Sequence, residues 1–183
     1  MLASYLESAV SAEVLHQFVP DAPRPRTQAA TRDLVEGRIE GCTAFEILPA
    51  SDERGDLFEL LTLRDRDIAP IVHVYQVLSA PGSIRAWVYH SRQTDRLCFT
   101  QGSFRIALCD LREGSPTAGN VVTLLAGASA PRLLTIPPFV AHGVQNMGAD
   151  PAAFLNMPTN VYYHHDPDKR RLPFDSPLIP FRW

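Results

Sequence analysis

Apolar residues recur at every fourth position at the start of the chain, at Leu2, Leu6, Val10 and Val14, with Glu7 and Gln17 off that line. The spacing predicts one amphipathic helix over 2–18, which Pro20, Pro23 and Pro25 bring to an end. Residues 31–41, TRDLVEGRIEG, read as a short helical turn. From about Ile39 the texture changes to short apolar runs: CTAFEIL, DLFELLTL, VHVYQVL, SIRAWVYH, RLCFT, SFRIALCDL, VVTLLA, PRLLTIP and AAFLNM. Turn formers separate them, among them Pro81-Gly82, Gln101-Gly102, Gly114-Ser115-Pro116 and Met147-Gly148. Many short strands at regular spacing predict an all-β sandwich or barrel rather than a parallel α/β sheet. The pattern divides the chain into an N-terminal helix with a Pro-rich linker, 1–38, and a β domain, 39–183.

Composition narrows the partners more than the fold. A chain of 183 residues with 45% hydrophobic content suits one sizeable core. A formal charge of -3 gives no basic field for a phosphate backbone, so no nucleic-acid partner is expected. Cys42, Cys98 and Cys109 are odd in number and widely spaced, which argues against a disulfide framework and a zinc knuckle. They read as small apolar fillers on strands. The N-terminal segment lacks a signal-peptide pattern and no stretch is long enough to span a bilayer, so a cytoplasmic protein without membrane contact is expected.

Candidate chemistry lies in two segments. Residues 83–102, SIRAWVYHSRQTDRLCFTQG, space Val88, His90, Asp95 and Gly102, and residues 135–146, TIPPFVAHGVQN, space Pro137, His142 and Asn146. The pair resembles, in order, the two motifs of a cupin barrel, with Val88 at the first histidine position, His90 at the second and Asp95 at the acid. The resemblance implies a cupin-type jelly-roll β-barrel with a short N-terminal helix. His90, Asp95 and His142 have the make-up of a two-His, one-carboxylate metal site. An interior histidine satisfied by hydrogen bonds needs no metal, however, and Asp95 is shorter than the motif's usual Glu, so no metal and no other cofactor is expected.

A closer resemblance runs through SDERGDLFE at 51–59, DLREGSPTAGN at 110–120, TIPPFVAHGVQN, FLNMPTNVYYHHDP at 154–167 and PFDSPLIPFRW at 173–183. In this order they resemble the dTDP-4-dehydrorhamnose 3,5-epimerase family over 39–183. The resemblance implies a nucleotide-sugar ligand held by Arg54, Glu59 and Arg85, an active-site His142, a general-acid Tyr162, and a homodimer in which a site borrows residues from its neighbour. It also exposes two departures: Val88 stands where the family has its base histidine, and Asp95 where it has a lysine. Epimerisation beside a ketone needs a base and positive character near the enolate oxygen. Val88 cannot accept a proton, and Asp95 has the wrong sign.

His90 lies on the same strand face as Val88, about 7 Å further along, and is the alternative base. The expectation is therefore a protein that binds or acts on a nucleotide 4-keto-6-deoxysugar or related small ketone, with altered or lost epimerase chemistry and Asp95 among the ligand-contacting residues. A divalent-metal cupin enzyme and a non-catalytic ligand-binding barrel remain open. His164, His165 and Asp166, with the basic run that follows, read as a solvated loop. Trp87 and Tyr89 alternate with Val88 and His90, so one pair should face the barrel and the other a second layer or a partner chain.

Overall fold

Period-two alternation sets the architecture. On 103–110, Phe104, Ile106 and Leu108 point one way into a large apolar cluster, while Ala107 and Cys109 point the other way into a second. The computed structural model describes residues 16–20, 33, 35, 38–62 and 71–183, and among them every regular element is a β-strand. The helix expected over 2–18 lies almost wholly outside the described residues. Val35 and Ile39, from the segment read as a helical turn, are buried in the main core, and a turn bond joins Arg38 N to Val35 O at 3.0 Å.

The strands are β1 Thr43–Glu46, β2 Ala50–Asp52, β3 Gly55–Leu57, β4 Tyr75–Ser79, β5 Ile84–His90, β6 Asp95–Phe99, β7 Ser103–Asp110, β8 Val121–Gly127, β9 Arg132–Ile136, β10 Val140–Asn146, β11 Ala152–Asn156 and β12 Lys169–Arg171. They form two five-stranded sheets, β1-β9-β6-β11-β4 and β12-β5-β10-β7-β8, and a small β2-β3 hairpin. The inner faces of the two sheets share one core, with Phe99 and Phe154 from one sheet against Phe104 from the other. This is the expected jelly roll.

Two segments differ from expectation. Among the described residues of the run DLFELLTL, only Asp56 and Leu57 pair as a strand; Phe58, Leu60 and Leu61 instead lie on the outer face of the first sheet, against Ile47, Cys98, Leu133 and Met157. The basic run after Asp166 is not a loop throughout, because Lys169–Arg171 pairs antiparallel with Val88–His90.

The outer face of the second sheet is covered by the chain's own tail. Ile179, Phe181 and Trp183 pack on Trp87, and the Arg105 guanidinium lies over the Phe181 and Trp183 rings at 5.7 and 5.8 Å. The apolar face near Trp87 thus meets a second layer from its own chain, while Tyr89 stacks on Phe139. The three cysteines are buried and unpaired, and burial pushes the thiols of Cys42 and Cys98 up to about 12. Among the described residues no helix is long and apolar enough to cross a membrane.

Gly143 is required where this tail meets the sheet. A Cβ there would lie 2.6 Å from the Trp183 ring and 2.4 Å from the Ala86 Cβ. Gly143→Ala should therefore cost about 1–3 kcal/mol by overpacking, read as a lower thermal midpoint. An unchanged midpoint would show that the tail is loosely held.

Candidate functional site

The polar end of the barrel follows from strand parity. Asp95 shares its inward face with Leu97 and Phe99, His142 with Val140 and Val144, and Asn156 with Phe154. Core residues thus aim three polar side chains into one end of an otherwise apolar interior. On β5 the alternation is reset. His142 pairs with Val88 but Val144 pairs with Arg85, so three steps on β5 oppose two on β10. Such an extra residue is a β-bulge, and it turns both Arg85 and Val88 toward the same inner cavity.

The centre of this end is the Asp95 carboxylate, 2% exposed. Its Oδ1 accepts hydrogen bonds from Gln93 Nε2 at 2.7 Å and Asn156 Nδ2 at 2.9 Å. Its Oδ2 faces His142 Nε2 at 3.2 Å and His90 Nε2 at 3.3 Å. Burial alone would raise the Asp95 carboxyl; hydrogen bonds from His142 and His90, together with their charge, outweigh it and hold the group well below the usual carboxylate range. His142 Nδ1 lies 3.2 Å from the Val140 carbonyl, which can only accept, so Nδ1 carries a hydrogen.

His90 is placed by the turn after β5. The Asp168 carboxylate accepts from the backbone N–H of Ser91, Arg92 and Gln93 at 3.0, 3.0 and 2.9 Å and from Ser91 Oγ at 2.5 Å. Its Oδ2 stands 3.8 Å from His90 Nδ1, which is buried and makes no hydrogen bond among the described residues. Burial would raise the Asp168 carboxyl, but the Ser91 hydroxyl and the three amides bring it down.

Two cavities adjoin the cluster. The inner one, about 90 Å³, is lined by Val88, Asp95, His142, Tyr75, Asn156 and the cations Arg85, Lys169 and Arg171. The outer cleft, about 700 Å³, is lined by His90, Gln93 and Tyr162. The structure therefore brings His90, Asp95 and His142 together, with Arg85 at the inner cavity and Tyr162 in the cleft on the other side.

It does not bring Arg54 and Glu59 to the cluster within one chain. Arg54 sits on the exposed β2-β3 hairpin, its Nε and Nη2 paired with Asp52 at 3.2 and 2.5 Å, and Glu59 is exposed on the segment that covers the outer sheet face. The run at 110–120 is architectural here. Buried Asp110 accepts from Arg112, Ser115 and Thr117, which ties the β7-β8 connection to the segment before β1 through Arg112 Nη2 and the Glu40 carbonyl.

Gln93, Asn156, Asp168, Lys169 and Arg171 were not singled out from the sequence. Gln93 reaches Asp95 from the turn two residues before it, and Asn156 reaches it from a neighbouring strand. Lys169 had a signal that went unused: it is the only lysine in the chain.

The cluster also fits a divalent ion. Ligands at about 2.0–2.2 Å from a metal stand roughly 3.0–3.5 Å apart at adjacent positions, and the two N–O edges here are 3.2 and 3.3 Å, with all three ligand atoms within 4.8 Å of one another. The Gln93 and Asn156 amides fix the remaining carboxylate oxygen, as outer partners of metal ligands do.

Asp95→Asn should destabilise the fold by about 3–5 kcal/mol, because it removes the charge that two buried histidines share. The folded Asp95 carboxyl lies below its unfolded value of about 3.9, so its stabilisation is present above that pH and is lost as pH falls through the lower folded value. Chemical denaturation from pH 7 to 3 should show stability declining below about pH 4, with a shallower decline in the variant. Equal slopes would mean that Asp95 carries no such linkage.

Comparison with known proteins places this geometry. The family profile described as dTDP-4-dehydrorhamnose 3,5-epimerase matches residues 36–183. The spore coat polysaccharide biosynthesis protein SpsL of Bacillus subtilis is 34% identical over 145 residues, covering 79% of this chain and 96% of that protein. The probable low-salt glycan biosynthesis epimerase Agl13 of Haloferax volcanii is 34% identical over 136 residues, 73% and 86% of the two chains. The crystal structure of a dTDP sugar isomerase from Desulfovibrio desulfuricans G20 superposes with a TM-score of 0.75 at 30% identity, covering 80% of this chain and 92% of that one. With the profile spanning the whole barrel, this chain belongs to the dTDP-4-dehydrorhamnose 3,5-epimerase family.

Proposed function

We propose that this protein binds a nucleotide-linked 4-keto-6-deoxysugar or related small ketone in its inner cavity, as an epimerase-like protein of sugar biosynthesis whose proton chemistry departs from 3,5-epimerisation. Family membership and the names of its relatives support the substrate class. The observation that carries the departure is the wall of the inner cavity, where Val88 stands beside His142 and Asp95 and offers no proton acceptor. His90 borders the outer cleft instead, with Nε2 engaged by Asp95. His142 uses both ring nitrogens, on Val140 and Asp95. The reading takes the two histidines and Asp95 as the proton-holding centre of the site, Tyr162 as a group that approaches from the cleft, and Arg85 as a phosphate partner.

The reading includes a homodimer. The exposed hairpin with Arg54 lies outside the linings of both cavities and Glu59 follows it on the same segment, so the reading sets both against the site of a second copy. Light scattering at micromolar concentration should give twice the chain mass; a strict monomer would remove Arg54 and Glu59 from the binding site.

Incubated with dTDP-4-keto-6-deoxyglucose in deuterated water, the wild-type protein should exchange C3 and C5 protons no faster than buffer. Val88→His, which returns a base to the cavity wall, should raise exchange by at least the ~10²-fold that one positioned base supplies. Rapid exchange by the wild type would show that His90 or His142 already serves as base, and the departure would be withdrawn.

The fit of His90, Asp95 and His142 to a metal supports a second reading, a divalent-metal cupin enzyme. Elemental analysis separates the two: the first expects no stoichiometric metal, and one ion per chain, lost in His142→Ala, would establish the second.

A further inference from the structure

Lys169 is the one lysine in a chain that otherwise uses arginine for every basic side chain. It is not at the surface run where its neighbours suggested it would be. Strand β12 pairs it with His90, and its side chain lines the inner cavity together with Asp95, Tyr75 and Asn156, while Arg170 turns outward to the Pro167 carbonyl. Arg171, two residues on, returns to the cavity side with Arg85. Both arginines are exposed at the rim, whereas Lys169 is half-buried. No hydrogen bond or ion pair with a described residue holds the Lys169 ε-amine. Asp95, the carboxylate that shares this cavity, is already engaged by two histidines and two amides.

Arginine and lysine differ here. A guanidinium is a planar fork suited to phosphate, and an ammonium is a compact charge on a flexible stem. The cavity therefore has two kinds of cation at two depths. We propose that Lys169 meets the carbonyl oxygen of a bound keto sugar, while Arg171 and Arg85 at the rim hold the nucleotide diphosphate. The proposal rests on the keto-sugar reading above and names the residue that distinguishes a ketone from a hydroxyl in it. A carbonyl oxygen accepts a hydrogen bond from the ammonium and gains more from it as its negative character grows. Burial, and then the charge of Arg171, lower the proton affinity of the amine, with Asp95 opposing and Arg85 adding.

The test uses the full chain and three probes: dTDP, dTDP-glucose and dTDP-4-keto-6-deoxyglucose, titrated by calorimetry. Wild type should prefer the keto sugar over dTDP-glucose by about tenfold or more, the range of one hydrogen bond to a charged group. Lys169→Met should abolish that preference and leave dTDP affinity within about threefold of wild type. Arg171→Met should weaken all three probes by about tenfold and keep the preference. A second measurement needs no variant. Reductive methylation with ¹³C-formaldehyde labels only one ε-amine, so a single dimethyl-lysine resonance reports on Lys169; it should shift with the keto sugar and stay in place with dTDP. If nucleotides bind but the preference survives in Lys169→Met, or the resonance ignores the keto sugar, this inference is overturned and the keto-sugar reading stands. If wild type binds none of the three probes, the keto-sugar reading fails and the role of Lys169 goes with it.

Discussion

One buried carboxylate organises the functional end of this barrel. Asp95 accepts four contacts from four side chains on four structural units: Gln93 from the β5-β6 turn, Asn156 from β11, His90 from β5 and His142 from β10. An ionised carboxyl in an apolar interior is tolerated only when its lone pairs are all answered, and here the answers come from both sheets. The same requirement that makes the group stable therefore fixes the separation of the sheets at this end. The opposite end is set by contacts among Phe99, Phe104 and Phe154, which need shape but no partners.

The charge that Asp95 brings changes the meaning of what surrounds it. Taken as a substitution for a lysine, it inverts the sign of the site. Within the fold its charge is consumed by His90 and His142, and positive charge reaches the cavity from a different strand, with Lys169 and Arg171 on β12 and Arg85 on β5. The bulge on β5 is part of this arrangement, since without the extra residue Arg85 and Val88 would face opposite sides of the sheet. In this chain the cavity thus draws its cations from β5 and β12 while its one buried carboxylate is answered by histidines and amides.

What could be read from the sequence followed from local rules. Alternation gave the strands around Thr43, Phe99, Phe104, Val122 and Leu134, and turn residues gave their limits, because both are properties of neighbouring residues. The triad of His90, Asp95 and His142 was also legible, since motif spacing on strands fixes which residues share a face. The rest depended on strand pairing. Nothing local in the run Lys169 to Arg171 says that it will dock on β5, and three basic residues in a row favour a solvated reading until a partner strand is present. Alternation said only that one of the pairs Trp87/Tyr89 and Val88/His90 would face a second layer or a partner chain, and the path of the tail shows that Trp87 meets Phe181 and Trp183 of the same chain. Arg54 and Glu59 were named from a motif whose position relative to its own barrel no spacing rule can supply.

The four hydrogen bonds that Asp168 makes to the turn after β5 have an evolutionary implication. They pin the far end of the exposed loop 160–166 directly beside the residue that enters β12. A loop anchored at both ends in this way, at Thr159 and at Asp168, should let the residues between them vary while His90 and Lys169 keep their register. The shape of the outer cleft and the charge of the interior are thereby held by separate sets of contacts in this chain.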